Sequence, residues 1–307
     1  MQEGLILARL LDYKERISAL LQDLGWVILK RGEYAKAETY LQEGLAIARQ
    51  IGLRERICGL LRSLGLVAES RGNYKQSEIY MQEGLAIAWQ IGDREQICIL
   101  LLNLGAAQGE QGNYIHAEGY FQEALTLARQ SGHREWIAIL LANLGDIASE
   151  LGKYVQAEAY FQEGLLLARQ IEHREWISGL LINLGLTMRK QEKFIDVETC
   201  LQEGLKLARQ VGRPQMIASV LYECGNTYLA QNRVKEAERA FQEMFVAIPE
   251  GEQDRIAQAQ YGLARTAMTE GNRIEAQKLG ETSLKTLERM GHRNAQEVKQ
   301  WLASIKD

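Results

Sequence analysis

A thirteen-residue segment occurs twice in this chain, forty residues apart. Residues 133–145 read HREWIAILLANLG and residues 173–185 read HREWISGLLINLG, and ten of the thirteen letters are identical. The same period continues on both sides of these copies, because a glycine recurs at Gly25, Gly65, Gly105, Gly145, Gly185 and Gly225. A fixed period of this length is typical of arrays in which one supersecondary unit stacks on the next. The repeat therefore constrains the fold more strongly than any single motif does.

Each repeat is predicted to begin with a helix, which in the first of these copies runs roughly from Glu135 to Glu150. Its apolar residues have the spacing of one buried helical face, at Ile137, Leu140, Leu141, Leu144 and Ala148. Nowhere in the chain do apolar and polar residues alternate with a period of two between turn signals. We therefore expect an all-α fold without strands.

A second helix is predicted to follow the first in each repeat, for example roughly from Tyr114 to Gln130. Its inner face is expected to carry Ala117, Phe121 or Tyr120, Leu125 and Ala128. The preceding Gly112–Asn113 pair supplies a turn that tolerates positive φ, and Gly92–Asp93 can end one repeat and cap the next. A single helix pair cannot bury its own apolar face, so successive pairs must stack.

The spacing within one repeat resembles that of the tetratricopeptide repeat. The residues that carry the resemblance are Leu104, Gly105, Gly112, Tyr114, Ala117, Phe121 and Ala124. The repeat length of 40 residues resembles that of a longer variant of the tetratricopeptide repeat. That variant occurs in kinesin light chains, Pins-type polarity adaptors and the C-terminal arrays of bacterial STAND and NB-ARC signalling proteins. The resemblance implies a right-handed α-solenoid of helix hairpins over nearly the whole chain.

The repeat boundaries predict one solenoid domain over residues 1–307. Residues 1–13 align with the second helix of a repeat and are expected to be the second half of a truncated repeat. Because its first helix is missing, we expect the chain to be a C-terminal fragment of a longer protein. Residues 14–291 hold repeats of about 40 residues. Residues 292–307 are predicted to form a C-terminal capping helix, from Arg293 to Lys306, that docks through Val298, Leu302 and Ile305.

Composition excludes several classes of partner. The net charge is −4, and no basic cluster suited to nucleic acid or to an anionic membrane is present. No apolar stretch approaches the ~20 residues of a spanning helix, and the first residues do not resemble a signal peptide. The four cysteines take apolar or repeat-equivalent positions, which indicates core packing in a reducing, cytoplasmic compartment.

Motifs for catalysis are absent from the sequence, which has no phosphate-binding loop, no GxSxG and no HExxH. We therefore expect no enzyme activity, no cofactor and no metal site. His133 and His173 share one repeat position at a helix start. Two hypotheses are open for them: a ligand-binding or pH-sensing pair, or solvated loop residues that recur with the repeat.

A stripe of first-helix residues is the candidate binding site. Trp136, Ile139, Asn143 and Asp146 are three or four residues apart, and so lie on one helical face beside the buried one. The equivalent stripe residues of the neighbouring repeats are Ile99 and Asn103 on one side and Trp176, Asn183 and Leu186 on the other. In the resembling family this face lines a concave groove.

Two explanations of this stripe compete. In the first, the asparagines hydrogen-bond along the stack or to water, and the tryptophans cover helix ends. In the second, Asn103, Asn143 and Asn183 hold the backbone of an extended peptide, since an amide offers both a donor and an acceptor. The resemblance to groove-binding members of the family implies the second role.

The function expected from the sequence is a non-catalytic module that binds a protein or peptide in the groove. The resemblance implies a sensor or interaction region of a larger bacterial signalling protein, with an upstream nucleotide-binding or effector domain as a further partner. An architectural oligomerisation scaffold is the alternative, and an enzyme of unrecognised chemistry is a third reading.

Overall fold

The computed structural model describes residues 2–249, 251–292 and 294–305. These residues form sixteen α-helices and no strand, which confirms the prediction of an all-α repeat solenoid. The helices are α1 (Gln2–Leu10), α2 (Lys14–Lys30), α3 (Tyr34–Ile51), α4 (Arg54–Ser70), α5 (Tyr74–Ile91), α6 (Arg94–Glu110), α7 (Tyr114–Ser131), α8 (Arg134–Glu150), α9 (Tyr154–Gln170), α10 (Arg174–Lys190), α11 (Phe194–Val211), α12 (Pro214–Ala230), α13 (Val234–Ala247), α14 (Gln253–Thr269), α15 (Arg273–Arg289) and α16 (Ala295–Ser304).

The predicted helices and their inner faces agree with the structure. The helix expected over Glu135–Glu150 is α8, and the helix expected over Tyr114–Gln130 is α7. Of the two alternatives left open, Phe121 is buried and Tyr120 is half-buried. The other residues assigned to the inner faces are all buried: Ile137, Leu140, Leu141, Leu144, Ala148, Ala117, Leu125 and Ala128. The 3.6-residue periodicity therefore identified the core correctly, because each helix buries one continuous apolar stripe.

The turn between repeats forms as its residues predict. Gly92 ends α5 in the left-handed conformation, with φ of 70°. Asp93 then caps α6, where its side-chain oxygen accepts a hydrogen bond of 3.1 Å from the backbone N–H of Gln96. This pair links one repeat to the next without strain, because glycine tolerates positive φ and aspartate is a preferred N-cap.

The recurring glycine allows the two helices of a repeat to touch. A Cβ atom at Gly105 would lie 2.5 Å from a ring carbon of Phe121 on α7. No side chain fits in that space unless the aromatic ring moves. The first helix thus packs directly against the aromatic core residue of its partner.

Contacts divide the chain into two compact units, Met1–Ile147 (unit 1) and Ala148–Asp307 (unit 2). The prediction that residues 1–307 form a single array, and with it the handedness of that array, stays a prediction. In unit 1, α2 packs on α4 and α4 packs on α6. In unit 2, α10 packs on α12 and α12 packs on α14. The first helices of successive repeats are therefore direct neighbours within each unit.

The last helix, α16, lies at the end of unit 2. Val298, Leu302 and Ile305 are buried against Tyr261 and Leu287. The helix α16 spans Ala295–Ser304, so it is shorter than the predicted range. Arg293, Lys306 and Asp307 lie outside the described residues.

Candidate functional site

The predicted stripe residues lie at equivalent places on three first helices. Those of unit 1 are Ile99 and Asn103 on α6 and Trp136, Ile139, Asn143 and Asp146 on α8, and those of unit 2 are Trp176, Asn183 and Leu186 on α10. Asp146 is exposed, and the other eight residues are half-buried. We call the surface that carries these positions the first-helix face of each unit.

The asparagines of unit 1 differ in their hydrogen bonding. The side-chain nitrogen of Asn143 donates to the backbone oxygen of Ile139 in its own helix, at 2.8 Å. Asn103 has no side-chain hydrogen bond within the described part of the chain. The amide of Asn143 is therefore partly engaged by its own helix, whereas that of Asn103 is available to a ligand.

One tryptophan of the stripe is partly covered by its own helix cap. The ring of His173 stacks on that of Trp176, with 4.0 Å between ring centroids and 16° between their planes. The Nδ1 atom of His173 also accepts a hydrogen bond of 3.3 Å from the backbone N–H of Trp176. His173 is half-buried and caps α10, so it is more than a solvated loop residue, whereas its repeat equivalent His133 is exposed. Trp176 is half-buried, with one ring face covered by His173.

Sequence analysis did not identify a polar cavity on the first-helix face of unit 1. The cavity has a volume of about 560 Å³, and its walls come from α2, α4 and α6. Arg56 and Arg62 both line it, together with Gln22 and Gln96. Burial lowers the pKa of the Arg62 guanidinium, and this side chain forms no ion pair within the described residues. Unit 1 thus holds a half-buried positive charge that the protein does not neutralise.

The first-helix face of unit 2 holds arginines with partners. Arg189 on α10 pairs with Glu223 on α12 at 3.1 Å, and their side chains are 21% and 12% exposed. Burial raises the pKa of the Glu223 carboxyl, and the nearby Arg189 charge opposes that shift only in part. This pair is a structural link between two successive first helices.

A second arginine of unit 2 joins α14 to α12. The guanidinium of Arg265 donates to the side-chain oxygen of Asn226, which is buried. It also lies over the ring of Tyr261, 5.0 Å from the centroid. Burial, together with the Glu297 charge, raises the pKa of Tyr261 to about 12, so its hydroxyl stays neutral. The face of unit 2 is therefore internally bonded across α10, α12 and α14.

A column of the repeat contains the signal that would have identified the unit 1 cavity. The position of Arg62 is taken by Leu102, Ala142 and Ile182 in the following repeats. The preceding repeat has Gln22 at this position, so the column is polar in the first two repeats and apolar in the next three. An arginine at such a position is either satisfied by a partner or serves a ligand. The register of the repeats, and not a local motif, carries this signal.

Other chemistry is sparse in the described residues. The thiols are free; Cys58, Cys98 and Cys224 are buried and Cys200 is half-buried, in line with core packing. No group of three or more His, Cys, Asp or Glu side chains that could hold a metal ion occurs within residues 2–249, 251–292 and 294–305. In that same part of the chain, no helix is both long enough and apolar enough to traverse a bilayer.

Known structures with a similar fold include several repeat proteins. A Signal Transduction ATPase with Numerous Domains (STAND) protein with a tetratricopeptide repeat sensor, from Pyrococcus horikoshii, superposes with a TM-score of 0.77 at 18% identity. The match covers 97% of this chain but only 46% of that protein. The apo form of RapI gives a TM-score of 0.74 at 14% identity, over 89% of this chain and 98% of that one.

A Rap protein complexed with competence and sporulation factor gives a TM-score of 0.61 at 11% identity, over 94% of this chain and 97% of that one. At such identities the likeness shows a shared fold. No curated protein sequence matches the chain.

Family models match the sequence directly. A model described as tetratricopeptide repeat matches residues 55–130 and 95–170, and a second model with the same description matches residues 18–51. These ranges coincide with two-helix repeats of unit 1 and the start of unit 2. The matched models and the stacked helix pairs agree, and the chain is a tetratricopeptide repeat protein.

Proposed function

We propose that the chain is a peptide-binding module, and that the first-helix face of unit 1 binds an extended peptide segment. The surface consists of Ile99 and Asn103 on α6 and of Trp136, Ile139 and Asn143 on α8. All five are half-buried, so each keeps exposed surface while its position is fixed by the helix. Tetratricopeptide repeats are in general binding modules and not enzymes, which supports a non-catalytic role.

The amide of Asn103 is the observation that carries this proposal. Within the described residues it has no hydrogen-bond partner, and it lies one helical turn from the apolar side chain of Ile99. A primary amide can donate to the oxygen and accept from the nitrogen of a peptide group. An amide beside an apolar contact suits a ligand that presents both a backbone and side chains.

The equivalent residues of unit 2 are proposed as a separate contact. Trp176, Asn183 and Leu186 repeat the pattern on α10. Because His173 covers one ring face of Trp176, we expect Trp176 to contribute less binding energy than Trp136 does. Asp146 is exposed on the last turns of α8 and would contact a ligand only at its edge.

The test is selection from a displayed library of random decapeptides, followed by affinity measurements on the recovered peptides. We expect Asn103→Ala to weaken many peptides alike, by roughly 0.5–1.5 kcal/mol, because it removes backbone contacts. We expect Trp136→Ala to cost roughly 2 kcal/mol and to alter the preferred residues, because aromatic anchors dominate interfaces. Gln130→Ala is the matched control, since Gln130 is exposed on a second helix.

Unchanged affinities in both variants would place binding on another surface. An equal loss in Trp136→Ala and Trp176→Ala would contradict the ranking based on the covered ring of Trp176. Recovery of no peptide at all would refute the proposed function.

A role in signalling follows as a broader proposal. The STAND protein with a similar fold carries its tetratricopeptide repeats as a sensor, and this chain spans 46% of that protein's length. We propose that this chain likewise serves as the sensor or interaction region of a signalling protein. A recovered peptide should then change nucleotide hydrolysis by an ATPase domain that acts with this chain, and Trp136→Ala should abolish the change.

A scaffold role is the second candidate, and the outer side of α1 favours it. Ile6, Leu7, Leu10 and Leu11 are 60%, 59%, 78% and 65% exposed. A contiguous apolar surface of this kind is a site of association in many proteins. A scaffold predicts concentration-dependent sedimentation that Leu7→Glu and Leu10→Glu together abolish. A monomer at all concentrations would eliminate self-association through α1.

A further inference from the structure

The second helices are linked on their outer sides by a ladder of ion pairs. In each rung, an arginine near the end of one second helix pairs with a glutamate of the next second helix, 34 residues further along the chain. The rungs include Arg9–Glu43 at 2.5 Å, Arg49–Glu83 at 2.5 Å, Arg169–Glu203 at 2.7 Å and Arg209–Glu243. The repeat therefore brings the same two side-chain positions together each time.

The ladder is interrupted in unit 1, between α5 and α7. Trp89 occupies the arginine position of α5, and Glu123 on α7 is the residue 34 positions further along. Helix α6 packs against both α5 and α7, as α4 packs against both α3 and α5. Because the packing is equivalent, we expect the indole of Trp89 to lie beside Glu123, as Arg49 lies beside Glu83.

Both residues of the interrupted rung are accessible to a partner. Glu123 is exposed and has neither an ion pair nor a side-chain hydrogen bond within the described part of the chain. Glu43 and Glu83, each of which has an arginine, are half-buried by comparison. Trp89 is 48% exposed, more than any other tryptophan of the chain.

The outer side of α7 is open next to this rung. Ile115, Gly119 and Glu123 follow one another at intervals of four residues, so they lie in one stripe along the helix. Ile115 is 78% exposed. A Cβ atom at Gly119 would meet nothing within 4 Å, so no neighbouring side chain fills the space beside Glu123. We call the surface formed by these three residues and Trp89 the α5–α7 surface.

The charge of the α5–α7 surface indicates what it would bind. On the neighbouring surface of α3 and α5, the positions of Trp89 and Ile115 are taken by Arg49 and Lys75. The α5–α7 surface thus lacks both positive charges but keeps the carboxylate of Glu123. Exposed apolar residues around an unpaired charge are typical of an association site, and complementarity requires a positive charge on the partner.

We propose that the α5–α7 surface binds an arginine of a partner protein, whose guanidinium stacks on the indole of Trp89 and pairs with the carboxylate of Glu123. The partner supplies the cation that this rung of the ladder lacks. A guanidinium suits both groups at once, because its plane stacks on an aromatic ring while its edge donates two hydrogen bonds to a carboxylate. A lysine ammonium does not combine these two contacts. Ile115 is exposed for an apolar side chain next to the arginine.

The first test is selection of displayed random decapeptides on the full chain carrying Trp136→Ala, which weakens the first-helix face. Peptides that also bind the Trp136→Ala/Trp89→Arg double variant are removed. Trp89→Arg completes the rung with the protein's own arginine, so it should block the site and preserve the fold. We expect the retained peptides to share an arginine next to an apolar residue. Retained peptides without that arginine, or no peptide that distinguishes the two variants, overturn the inference.

The second test is a double-mutant cycle with one retained peptide. Replacing its arginine by citrulline keeps the shape of the side chain and removes the charge. We expect citrulline and Glu123→Gln each to weaken binding about tenfold, and the two changes together to weaken it little more than one alone. Trp89→Ala should weaken binding about tenfold or more, because an aromatic anchor is lost. Additive effects of citrulline and Glu123→Gln would show that the two groups do not pair.

Glu95→Gln is the matched control. Glu95 is exposed at the start of the first helix α6 in unit 1, and its replacement makes the same change in net charge. It should leave the affinity for the peptide unchanged. A loss as large as that of Glu123→Gln would attribute the effect to net charge and overturn the inference. Hydrogen exchange of α5 and α7 checks that Trp89→Arg blocks binding without unfolding these helices.

The remaining measurements separate this surface from the other binding modes. A peptide of the α5–α7 surface should bind wild type and Trp136→Ala equally. Peptides recovered on wild type but not on Trp136→Ala overturn this inference and leave the proposed function intact. Sedimentation of the chain without peptide tests a second copy as the occupant. Concentration-dependent association that Trp89→Arg abolishes would assign the surface to self-association and overturn the assignment to a separate partner.

Discussion

The two units place arginines on the same kind of surface and satisfy them differently. In unit 2, Arg189 pairs with Glu223, and Arg265 pairs with Asn226. In unit 1, Arg62 has no partner among the described residues, and burial lowers its pKa. The repeats supply the same scaffold in both units. What differs is the single residue Arg62, which has no acceptor, whereas Arg56 donates to Gln22 on α2. The Nε atoms of Arg189 and Arg265 are also buried without a partner in the described residues, although their guanidinium groups are held by Glu223 and Asn226.

This difference separates structural charge from charge that awaits a ligand. A buried ion pair offsets its own desolvation cost only when both partners are present. Unit 2 meets that condition, so Arg189 acts as a link between α10 and α12. Arg62 in unit 1 does not meet it, and a desolvated charge that lines a cleft is a candidate for ligand binding.

The largest loss of stability is expected for Arg189→Met, which breaks the ion pair between Arg189 and Glu223 in unit 2. Glu223 then remains as a buried carboxylate without a counter-ion. Removing one partner of a buried pair typically costs about 3–5 kcal/mol. Because the Arg189 side chain is 21% exposed, we expect the low end of that range. Hydrogen exchange of α10 and α12 measures the loss as a local free energy of opening, since a repeat array does not unfold in two states.

The pH dependence of this loss has a defined sign. Burial already raises the pKa of Glu223 in the folded state, and removal of Arg189 raises it further. A raised carboxyl pKa stabilises the fold while the group is protonated, and this contribution is lost as the pH rises through the folded pKa. The difference in the local free energy of opening between wild type and Arg189→Met should be small at about pH 4 and should increase toward neutral pH. A gap that does not change with pH would show that Glu223 is not the cause.

The second comparison concerns the helix crossings in the two cores. A Cβ atom at Gly105 in unit 1 would lie 2.5 Å from Phe121, and one at Gly225 in unit 2 would lie 2.5 Å from Phe241. Phe241 is also confined on its other side, where a Cβ at Gly262 would lie 2.4 Å away. We expect Gly225→Ala to cost about 2–3 kcal/mol and Gly105→Ala about 1–2 kcal/mol, because two glycine positions, Gly225 and Gly262, lie against the ring of Phe241 and leave it less room to shift.

The control for both variants is Gly84→Ala. A Cβ atom at Gly84 would meet Leu100 at 3.5 Å, which is ordinary contact. Alanine is favoured over glycine inside a helix by roughly 0.5–1 kcal/mol, so this variant should gain stability. Hydrogen exchange of α5, α6 and α12 gives the three values. A larger cost for Gly105→Ala than for Gly225→Ala would contradict the account of the confined ring.

The sequence predicted the fold well because the signals for helices are local and recur six-fold in register. The spacing of Ile137, Leu140 and Leu144 identifies a buried face within one helix, and Gly105 marks a crossing within one repeat. Both signals depend on residues that are close in the chain. Val298 and Leu302, which belong to α16, show the same helical spacing and are buried.

The candidate site was less predictable, because its chemistry depends on contacts between repeats. Periodicity assigns Asn103 and Asn143 to equivalent places on two helices, but it does not tell which side-chain amide hydrogen-bonds within its own helix. The arginine cavity requires Gln22, Gly59 and Arg62 to meet from different helices. The same holds for Arg189 and Glu223, whose pairing spans 34 residues. Neither contact has a motif in the linear sequence.

The smallest effect on stability is expected for Arg62→Met, which is the counterpart of Arg189→Met in unit 1. Methionine keeps the apolar stem of Arg62 and removes its desolvated, unpaired charge. Replacing a buried charge by an apolar group of similar volume often leaves the stability of the fold unchanged or increases it. The free energy of local opening of α4, measured by hydrogen exchange, should fall by less than about 0.5 kcal/mol or should rise. A loss as large as that of Arg189→Met would mean that Arg62 is satisfied within the fold. The contrast between Arg62 and Arg189 would then disappear.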